Sequence, residues 1–372
     1  MGLFARRGDA IPFQLDGALK RNEPLPAGIS IAYQAPKNSV AVGTAHSDFD
    51  FIDGNWVDVR ATPDITRLIP ETVLRITNVQ VNFRGAMRLR DGTTLAGSFF
   101  HARPDDWARK DFAQPTHIEG TRGSIVQGAS GFGHWLIQRL GRLVTLRDFA
   151  PNLPVLSTEL PFDGRDITSR IGYSPSDFQL LPRVETSRWL VDEMFVPSYS
   201  GVNGGRIADA NRFRRDIHRL VADVDLTSGL SAYPSKLYFA RRPGSTSRKG
   251  LVNGAELEEI FVDRGFTSVD VASLPFEEQV RMIRAADVMA GEGGSFAQSA
   301  MFGKSDLTLV VVNANSGPGI ATYQPGNKTY SRMVTDAFGQ NFRRIVASEN
   351  RRRPGWTADL DIVRRALDTM PD

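Results

Sequence analysis

The first third of the chain contains stretches in which apolar and polar residues alternate. Residues 72–84 follow this alternation, and residues 93–100 resume it after the dipeptide Asp91-Gly92. Period-two alternation on both sides of an Asp-Gly pair is typical of a β-hairpin or a β-meander. We therefore predict that residues 1–128 are a β-rich N-terminal region, the first part of an N-terminal domain.

After Gly133 the pattern changes to apolar residues at steps of three or four, which predicts a helix with one buried face. The apolar positions of this helix are Trp135, Leu136, Leu140, Leu143 and Leu146. Strands are predicted in residues 154–160 and within 185–196, and an amphipathic helix in residues 206–224. We interpret residues 129–225 as the helical, Rossmann-like part of the N-terminal domain.

From residue 236 onward, short apolar segments alternate with helical ones, which predicts a parallel, doubly wound sheet. Asn253 is the predicted N-cap of the first helix, with Glu256 as its capping-box partner. We predict a C-terminal Rossmann-like domain over residues 226–347 and a helix within 348–372 that packs back on it. The predicted strands are 237–240, 267–272, 287–291 and 307–312, and the predicted helices are 253–263, 275–286 and 295–302.

Composition restricts the class of protein. The chain has 372 residues, 41% hydrophobic and 23% charged, which favours a soluble protein of two domains. It has no cysteine, which excludes disulfides, thiolate nucleophiles, iron–sulfur clusters and cysteine zinc sites. No two of the five histidines have the i, i+4 spacing of metal ligands, and the net charge of +3 argues against nucleic-acid binding. Without a secretory pattern or an apolar run of about 18 residues, we expect a cytoplasmic protein, with peripheral membrane contact left open.

Residues 291–295, Gly-Glu-Gly-Gly-Ser, lie between a predicted strand and a predicted helix and are called the Gly turn below. The N–H groups of Gly293, Gly294 and Ser295 would meet the positive helix end at the carboxyl edge of the sheet, where a diphosphate would fit. The spacing is neither a dinucleotide fingerprint nor a P-loop. A tight turn that simply needs glycines is the alternative. Gly294 is predicted to allow either close approach of a ligand or a positive φ angle.

Arginine dominates the basic residues, since 38 of the 45 are Arg and seven are Lys. The planar guanidinium suits phosphate and carboxylate, although a GC-rich gene also favours arginine. Arg241 and Arg248 lie in the loop after a predicted parallel strand, so we expect them at the same crevice as the Gly turn. Two guanidinium groups would offset the charge of a diphosphate. A solvated basic loop is the alternative.

His134 lies at the start of the predicted helix that follows Gly133. A helix N-terminus lowers the pKa of an imidazole and favours the neutral form, which can accept a proton. His134 is therefore a candidate general base. A histidine beside a tryptophan, here Trp135, is also often a packed and hydrogen-bonded residue, so that alternative stays open.

In this order, the motifs resemble glycosyltransferase family 61 from about residue 72 to about residue 347. The residues that carry the resemblance are 132–136 (Phe-Gly-His-Trp-Leu), 237–241 (Leu-Tyr-Phe-Ala-Arg), Arg248, Asn253, Glu256, Gly265, Phe266, 275–279, Ala285, the Gly turn, Phe302, Tyr330 and Gly339. The resemblance implies an α/β protein of GT-B type, with two Rossmann-like domains facing a cleft. It also implies inverting transfer of a sugar from a nucleotide-activated donor to a glycan acceptor, without a bound metal or other cofactor. Bacterial members of the family are similar to capsule and exopolysaccharide biosynthesis proteins.

The resemblance suggests roles for individual residues. His134 is the predicted base for the acceptor hydroxyl. Glu292 is the second candidate for the base, or a partner for a ribose hydroxyl. The residues predicted to bind the donor and offset the charge of its diphosphate are Arg241, Arg248, Asn253, Gln279, Gly293, Gly294 and Ser295.

The chain departs from the usual family pattern at two positions. Gly293 stands where a His or an aromatic residue is common, and Gln298 stands where an Asn or a His is common. The missing side chain at Gly293 predicts a larger donor pocket, a different donor, or lost activity. A non-catalytic glycan- or nucleotide-binding assembly protein is therefore the alternative function, and another activated-donor transferase, such as a pyruvyl transferase, is a third. The sequence predicts no oligomeric state.

Overall fold

The structure, a computed structural model, describes residues 13–35, 47–52, 54–59, 71–96, 107, 113–126, 133, 135–158, 164–198, 210–240, 251–313, 330–347 and 356–371. Its first elements are β1 (Phe13–Gln14), α1 (Leu15–Arg21), β2 (Ile29–Gln34), β3 (Ser47–Ile52), β4 (Asn55–Asp58), β5 (Thr72–Asn82), β6 (Met87–Arg88), β7 (Thr94–Ala96), β8 (Thr116–Ser124), a π-helix (Trp135–Leu140), α2 (Gly141–Phe149), β9 (Val155–Thr158), α3 (Gly164–Arg170), a 3₁₀ turn (Pro175–Asp177), β10 (Phe178–Leu181) and β11 (Arg188–Pro197). They are followed by α4 (Ala210–Leu220), a 3₁₀ turn (Leu230–Ala232), β12 (Lys236–Phe239), α5 (Gly254–Val262), β13 (Thr267–Val269), a 3₁₀ turn (Val271–Ser273), α6 (Phe276–Ala285), β14 (Val288–Glu292), a 3₁₀ helix (Ser295–Phe302), β15 (Thr308–Asn313), α7 (Tyr330–Phe338), β16 (Asn341–Val346) and α8 (Leu360–Asp368). None of the helices in these ranges is long and apolar enough to cross a membrane.

The chain forms two compact units, each with its own sheet. Unit 1 comprises Met1–Ala41 and Ile65–Gly204, and unit 2 comprises Val42–Asp64 and Gly205–Asp372. Each sheet is joined to helices along the chain, so the predicted α/β class is confirmed.

Two segments lie in a different unit from the one the sequence suggested. Residues 42–64 and 205–225 were assigned to the N-terminal domain, whereas the structure places both in unit 2. The first contributes β3, which pairs in parallel with β16. The second contributes α4, in which the ring of Phe213 packs edge-on against Phe338 of α7 at a centroid distance of 5.9 Å.

The described residues of unit 1 form a nine-stranded mixed sheet in the order β1-β7-β6-β5-β11-β8-β9-β10, with β2 paired to β5. The predicted alternating segment forms β5, and the strands after it, β6 and β7, are antiparallel. They turn at Asp91-Gly92, where Gly92 has a φ of 91° and Asp91 Oδ1 accepts a hydrogen bond from the N–H of Thr93 at 2.8 Å. Of the two predicted alternatives, the structure has the β-meander, in which the unpredicted strand β6 lies between β5 and β7.

One side of this sheet is parallel. Strands β10, β9, β8 and β11 lie side by side and are parallel. Numbered along the chain from β8, they are the third, second, first and fourth strands. This is the 3-2-1-4 order of half a dinucleotide-binding fold. The predicted helix after Gly133 begins as the π-helix Trp135–Leu140 and continues as α2. Residues 135–146 are all buried, so this segment lacks the single buried face that the spacing predicted.

In the described part of unit 2, the strands form a seven-stranded sheet in the order β13-β12-β14-β15-β16-β3-β4. Strands β12 to β16 are all parallel. Across the sheet they lie in the order second, first, third, fourth and fifth, numbered along the chain. This order is that of a flavodoxin-like doubly wound sheet, and it confirms the predicted alternation of strands and helices. β15 is buried over its four central residues, as a strand covered on both faces should be.

A buried ionic network attaches β3 to unit 2. Asp48 and Asp50 are two residues apart on β3 and therefore point to the same side of the sheet. Arg332 of α7 donates to Asp48 at 2.9 Å and to Asp50 at 2.7 Å, and Arg344 of β16 donates to Asp50 at 2.6 Å. All four side chains are at most 5% exposed. Burial raises the pKa of the Asp48 carboxyl, and the charge of Arg332 opposes that shift.

We expect Arg332→Ala to lower the free energy of unfolding of unit 2 by about 3 to 5 kcal/mol, because it leaves buried carboxylates without this cation. The pKa of Asp48 should then rise further, so the native state holds more protons than the unfolded chain and its stability falls as pH rises through that interval. The loss should therefore be larger at about pH 7 than at about pH 4. Urea unfolding at both pH values measures it.

Arg364→Ala is the matched control, since Arg364 pairs with Asp361 on the surface at 2.8 Å, with side chains 49% and 85% exposed. An exposed pair contributes about 0 to 1 kcal/mol. Equal losses in the two variants would contradict a special role for the buried network.

Candidate functional site

The Gly turn lies where the strand order of unit 2 reverses. β12 and β14 are neighbours in the sheet. The next strand beyond β12 is β13, and the next strand beyond β14 is β15, so the strand order reverses between β12 and β14. Phe239 at the end of β12 is paired with Gly291 of β14, and the Gly turn continues from there. Ligands of doubly wound sheets bind beyond the carboxyl ends of the strands at this switch point. The predicted position of the Gly turn is therefore confirmed.

The Gly turn presents backbone N–H groups. The N–H of Gly293 donates to the oxygen of Val312 of β15 at 2.9 Å, which ties the turn to the neighbouring strand. This N–H, predicted as a donor to the diphosphate, is thus used by the fold. The first bond of the following 3₁₀ helix is from the N–H of Ala297 to the oxygen of Gly294, at 3.3 Å. The N–H groups of Gly294, Ser295 and Phe296 precede that bond and have no partner within the helix. They form a group of donors at the positive end of the helix, and Ser295 is exposed.

The backbone of Gly294 corrects one expectation. Its φ is 175° and its ψ is −164°, which is extended backbone. The positive-φ alternative is therefore wrong. Close approach of a ligand to the backbone stays a prediction.

Packing and hydrogen bonds fix the shape of the turn. The ring of Phe296 stacks on Phe239 at a centroid distance of 5.3 Å and an interplanar angle of 28°. A Cβ on Gly291 would lie 3.0 Å from the Phe296 ring, so glycine lets the ring pack on the strand. In the amide orientation that suits its surroundings, the buried Gln298 donates to the oxygens of Gly294 at 3.1 Å and Ser295 at 3.0 Å. Gln298, noted in the sequence only as a departure, thus stabilises the turn.

Glu292 ends β14 and is 7% exposed. The indole N–H of Trp356 donates to Glu292 Oε1 at 3.2 Å. An indole N–H is only a donor, so Glu292 Oε1 is the acceptor of this bond. Trp356 could not be predicted as a partner of Glu292, because it lies 64 residues further along the chain and no local pattern joins them.

Asn253 has a different role from the predicted one. It precedes α5 but makes no side-chain cap bond, so the predicted capping box with Glu256 does not form. Its amide instead pairs with the backbone of Ala358, donating to the oxygen and accepting from the N–H, both at 2.9 Å. The neighbouring N–H of Val252 donates to Trp356 at 2.8 Å. Asn253 therefore helps to hold the C-terminal segment that carries Trp356.

Gln279 lies in the first turns of α6. Its side-chain nitrogen donates to the oxygen of Leu274 at 2.7 Å. The bond ties the start of the helix to the preceding turn, so this amide nitrogen serves the fold. A contact between Gln279 and substrate stays a prediction.

Three predicted site residues, His134, Arg241 and Arg248, lie outside the described residues. Their neighbours Gly133 and Trp135 are buried, and Ala240 follows the end of β12. Among the residues that are described, no group of three or more acidic or histidine side chains is placed to hold a metal ion.

The structure adds Asn313 to the candidate site. It ends β15 beside the Gly turn, where a Cβ on Gly293 would lie 1.9 Å from the Asn313 Oδ1 atom. No local pattern indicates this contact, since Asn313 resembles any polar residue at the end of a strand. The site in unit 2 thus combines the N–H groups of the Gly turn, the carboxylate of Glu292 and the amide of Asn313.

Comparison with known families bears on this site. The family model described as Glycosyltransferase 61 matches residues 132–311, which include the Gly turn and all of β12 to β14. The match bears out the resemblance to this family that the sequence motifs predicted. No curated protein matched the chain.

Proposed function

We propose that this chain, a member of glycosyltransferase family 61 by the match over residues 132–311, transfers a sugar from a nucleotide-activated donor to a glycan acceptor. The observation that supports donor binding in unit 2 is the position of the Gly turn at the switch point between β12 and β14. Inversion of the sugar linkage, GT-B architecture, independence from metal, and a role in capsule or exopolysaccharide synthesis are parts of this proposal that rest on the family resemblance alone.

The donor diphosphate would bind at the N–H groups of Gly294, Ser295 and Phe296. These groups are already oriented by the 3₁₀ helix and by Gln298, so they need no rearrangement when charge develops on the leaving group. Such preoriented donors are worth about 3 kcal/mol each in the transition state. In the sequence, Arg241 and Arg248 follow β12, whereas the Gly turn follows β14. In this proposal, their guanidinium groups offset the remaining negative charge of the diphosphate.

Glu292 is proposed to accept a hydrogen bond from a donor hydroxyl, and His134 to take the proton of the acceptor hydroxyl. Glu292 is buried and held by the indole of Trp356, an arrangement that suits a fixed acceptor. A base must reach the reacting hydroxyl in a suitable protonation state. A fixed carboxylate in the donor unit therefore suits recognition better than proton transfer.

A panel of nucleotide sugars and nucleoside diphosphates tests the proposal. A ligand at about one hundred times its dissociation constant should stabilise the protein by about 2.7 kcal/mol, measured as a shift in melting temperature. Release of nucleoside diphosphate with a panel of glycan acceptors then measures transfer. Stabilisation without transfer would favour the non-catalytic binding protein, and no stabilisation by any member would contradict the proposed function.

Arg241→Ala should weaken binding of the nucleoside diphosphate by about tenfold or more, because a charge-assisted bond to phosphate is lost. The melting temperature without ligand should hardly change. Calorimetric titration measures the affinity, with Arg364→Ala in the exposed pair as control. An unchanged affinity would remove Arg241 from the donor site.

A further inference from the structure

Asn313 is held rigidly at the carboxyl edge of the sheet in unit 2. Its backbone oxygen accepts from the N–H of Ala347 at 2.9 Å, just beyond β16. The residue before it, Val312, accepts from the N–H of Gly293 at 2.9 Å. The backbone at Asn313 is therefore fixed between the neighbouring strand and the Gly turn.

The side chain of Asn313 lies over Gly293. A Cβ on Gly293 would be 1.9 Å from Asn313 Oδ1 and 3.0 Å from its Cγ, so the carboxamide occupies the space where a side chain at position 293 would begin. Asn313 is half-buried, and within the described ranges its carboxamide has no hydrogen-bond partner. One acceptor and two donor hydrogens are thus held beside the N–H groups of the Gly turn without a partner from the fold.

We propose that the Asn313 carboxamide binds a hydroxyl-bearing ring of the donor, either the ribose or the transferred sugar, and so helps to determine donor specificity. This inference rests on the proposed function. Ring hydroxyls both donate and accept hydrogen bonds, and a carboxamide can satisfy both.

Asn313→Ala and Asn313→Leu separate binding from space filling. Leucine keeps the volume of the side chain but has no polar atom, so both variants should weaken donor binding by about three- to tenfold. The KM for the donor should rise in both variants, because each loses the hydrogen bonds of the carboxamide. Normal affinity in Asn313→Leu, with or without a loss in Asn313→Ala, would overturn the proposal.

Two ligands distinguish the source of the hydroxyls. The donor found in the panel and its nucleoside diphosphate are titrated into the wild-type protein and both variants. A loss for both ligands assigns Asn313 to the ribose, and a loss for the nucleotide sugar alone assigns it to the transferred sugar. If the wild-type protein binds neither, the proposed function and this inference both fall. If it binds both and the variants do too, only the inference fails.

Gly293→Ala tests the shared space. Its Cβ must displace the Asn313 carboxamide, so the affinity should fall as in Asn313→Ala. The double variant should lose no more than Asn313→Ala alone, because contacting residues are not additive. Additive losses would overturn this arrangement. Asn341→Ala is the control, since Asn341 begins β16 at the opposite edge of the sheet and bonds to Ser47 at 2.7 Å; its donor affinity should be unchanged.

Discussion

His134→Ala should lower the rate of sugar transfer by about a hundredfold or more, which is the usual contribution of a positioned proton-transfer group. Donor affinity should stay unchanged, because the donor is proposed to bind in unit 2 and His134 belongs to unit 1. The change should therefore appear in kcat at saturating donor, measured as release of nucleoside diphosphate, and leave the dissociation constant of the donor as it is.

His134→Asn is the sharper variant for the same question. Asparagine keeps a hydrogen bond of similar reach without the basicity, so it preserves a structural role and removes a chemical one. If His134 only packs between its neighbours, His134→Ala should lower stability by about 1 to 3 kcal/mol, with activity following the folded fraction. Near-normal transfer by His134→Asn at saturating acceptor would end the assignment as base.

The sheet of unit 2 could be predicted because its strands follow one another along the chain. Residues 307–312 were predicted as a buried strand from their apolar run, and β15 is Thr308–Asn313. Similarly, the position of the Gly turn between a strand and a helix depends only on the neighbouring residues of the chain. Local signals sufficed here, since each βα step is completed within about thirty residues.

Segments joined to distant partners could not be predicted. β3 alternates Asp48 and Asp50 with phenylalanines, a pattern typical of a half-exposed strand, yet both aspartates are buried. Arg332, which binds them, lies 284 residues beyond Asp48. The hydrophobic pattern alone therefore does not show which residues of this strand are buried.

Within the site, long-range partners displaced a local pattern. Asn253 followed three residues later by Glu256 is a sound capping signal, but Ala358, 105 residues away, offers its backbone to both ends of the Asn253 amide. Asn313 escaped the sequence analysis for a related reason, because only the sheet register brings it over Gly293.

Gly294→Val should weaken binding of the nucleoside diphosphate by about a hundredfold or more, since several preoriented donors are lost together. The branched side chain would stand beside the N–H groups of Gly294 and Ser295 and keep the diphosphate away from them. The extended backbone at Gly294, with φ at 175°, is accessible to valine, so the variant should fold with a nearly normal melting temperature. Calorimetric titration and a thermal melt separate the two effects.

Gly254→Ala is the matched control for Gly294→Val. Gly254 is the first residue of α5 in the same unit, and a Cβ there meets only the Leu251 side chain, at an ordinary 3.9 Å. That variant should bind the donor normally, because the added methyl faces no proposed ligand group. If Gly294→Val folds and also binds normally, the diphosphate does not contact this turn, and the donor site must be sought at another strand end of the sheet. Loss of binding only in Gly294→Val would support the N–H groups of the Gly turn as the diphosphate site, because both variants add a side chain to a glycine and differ in its position.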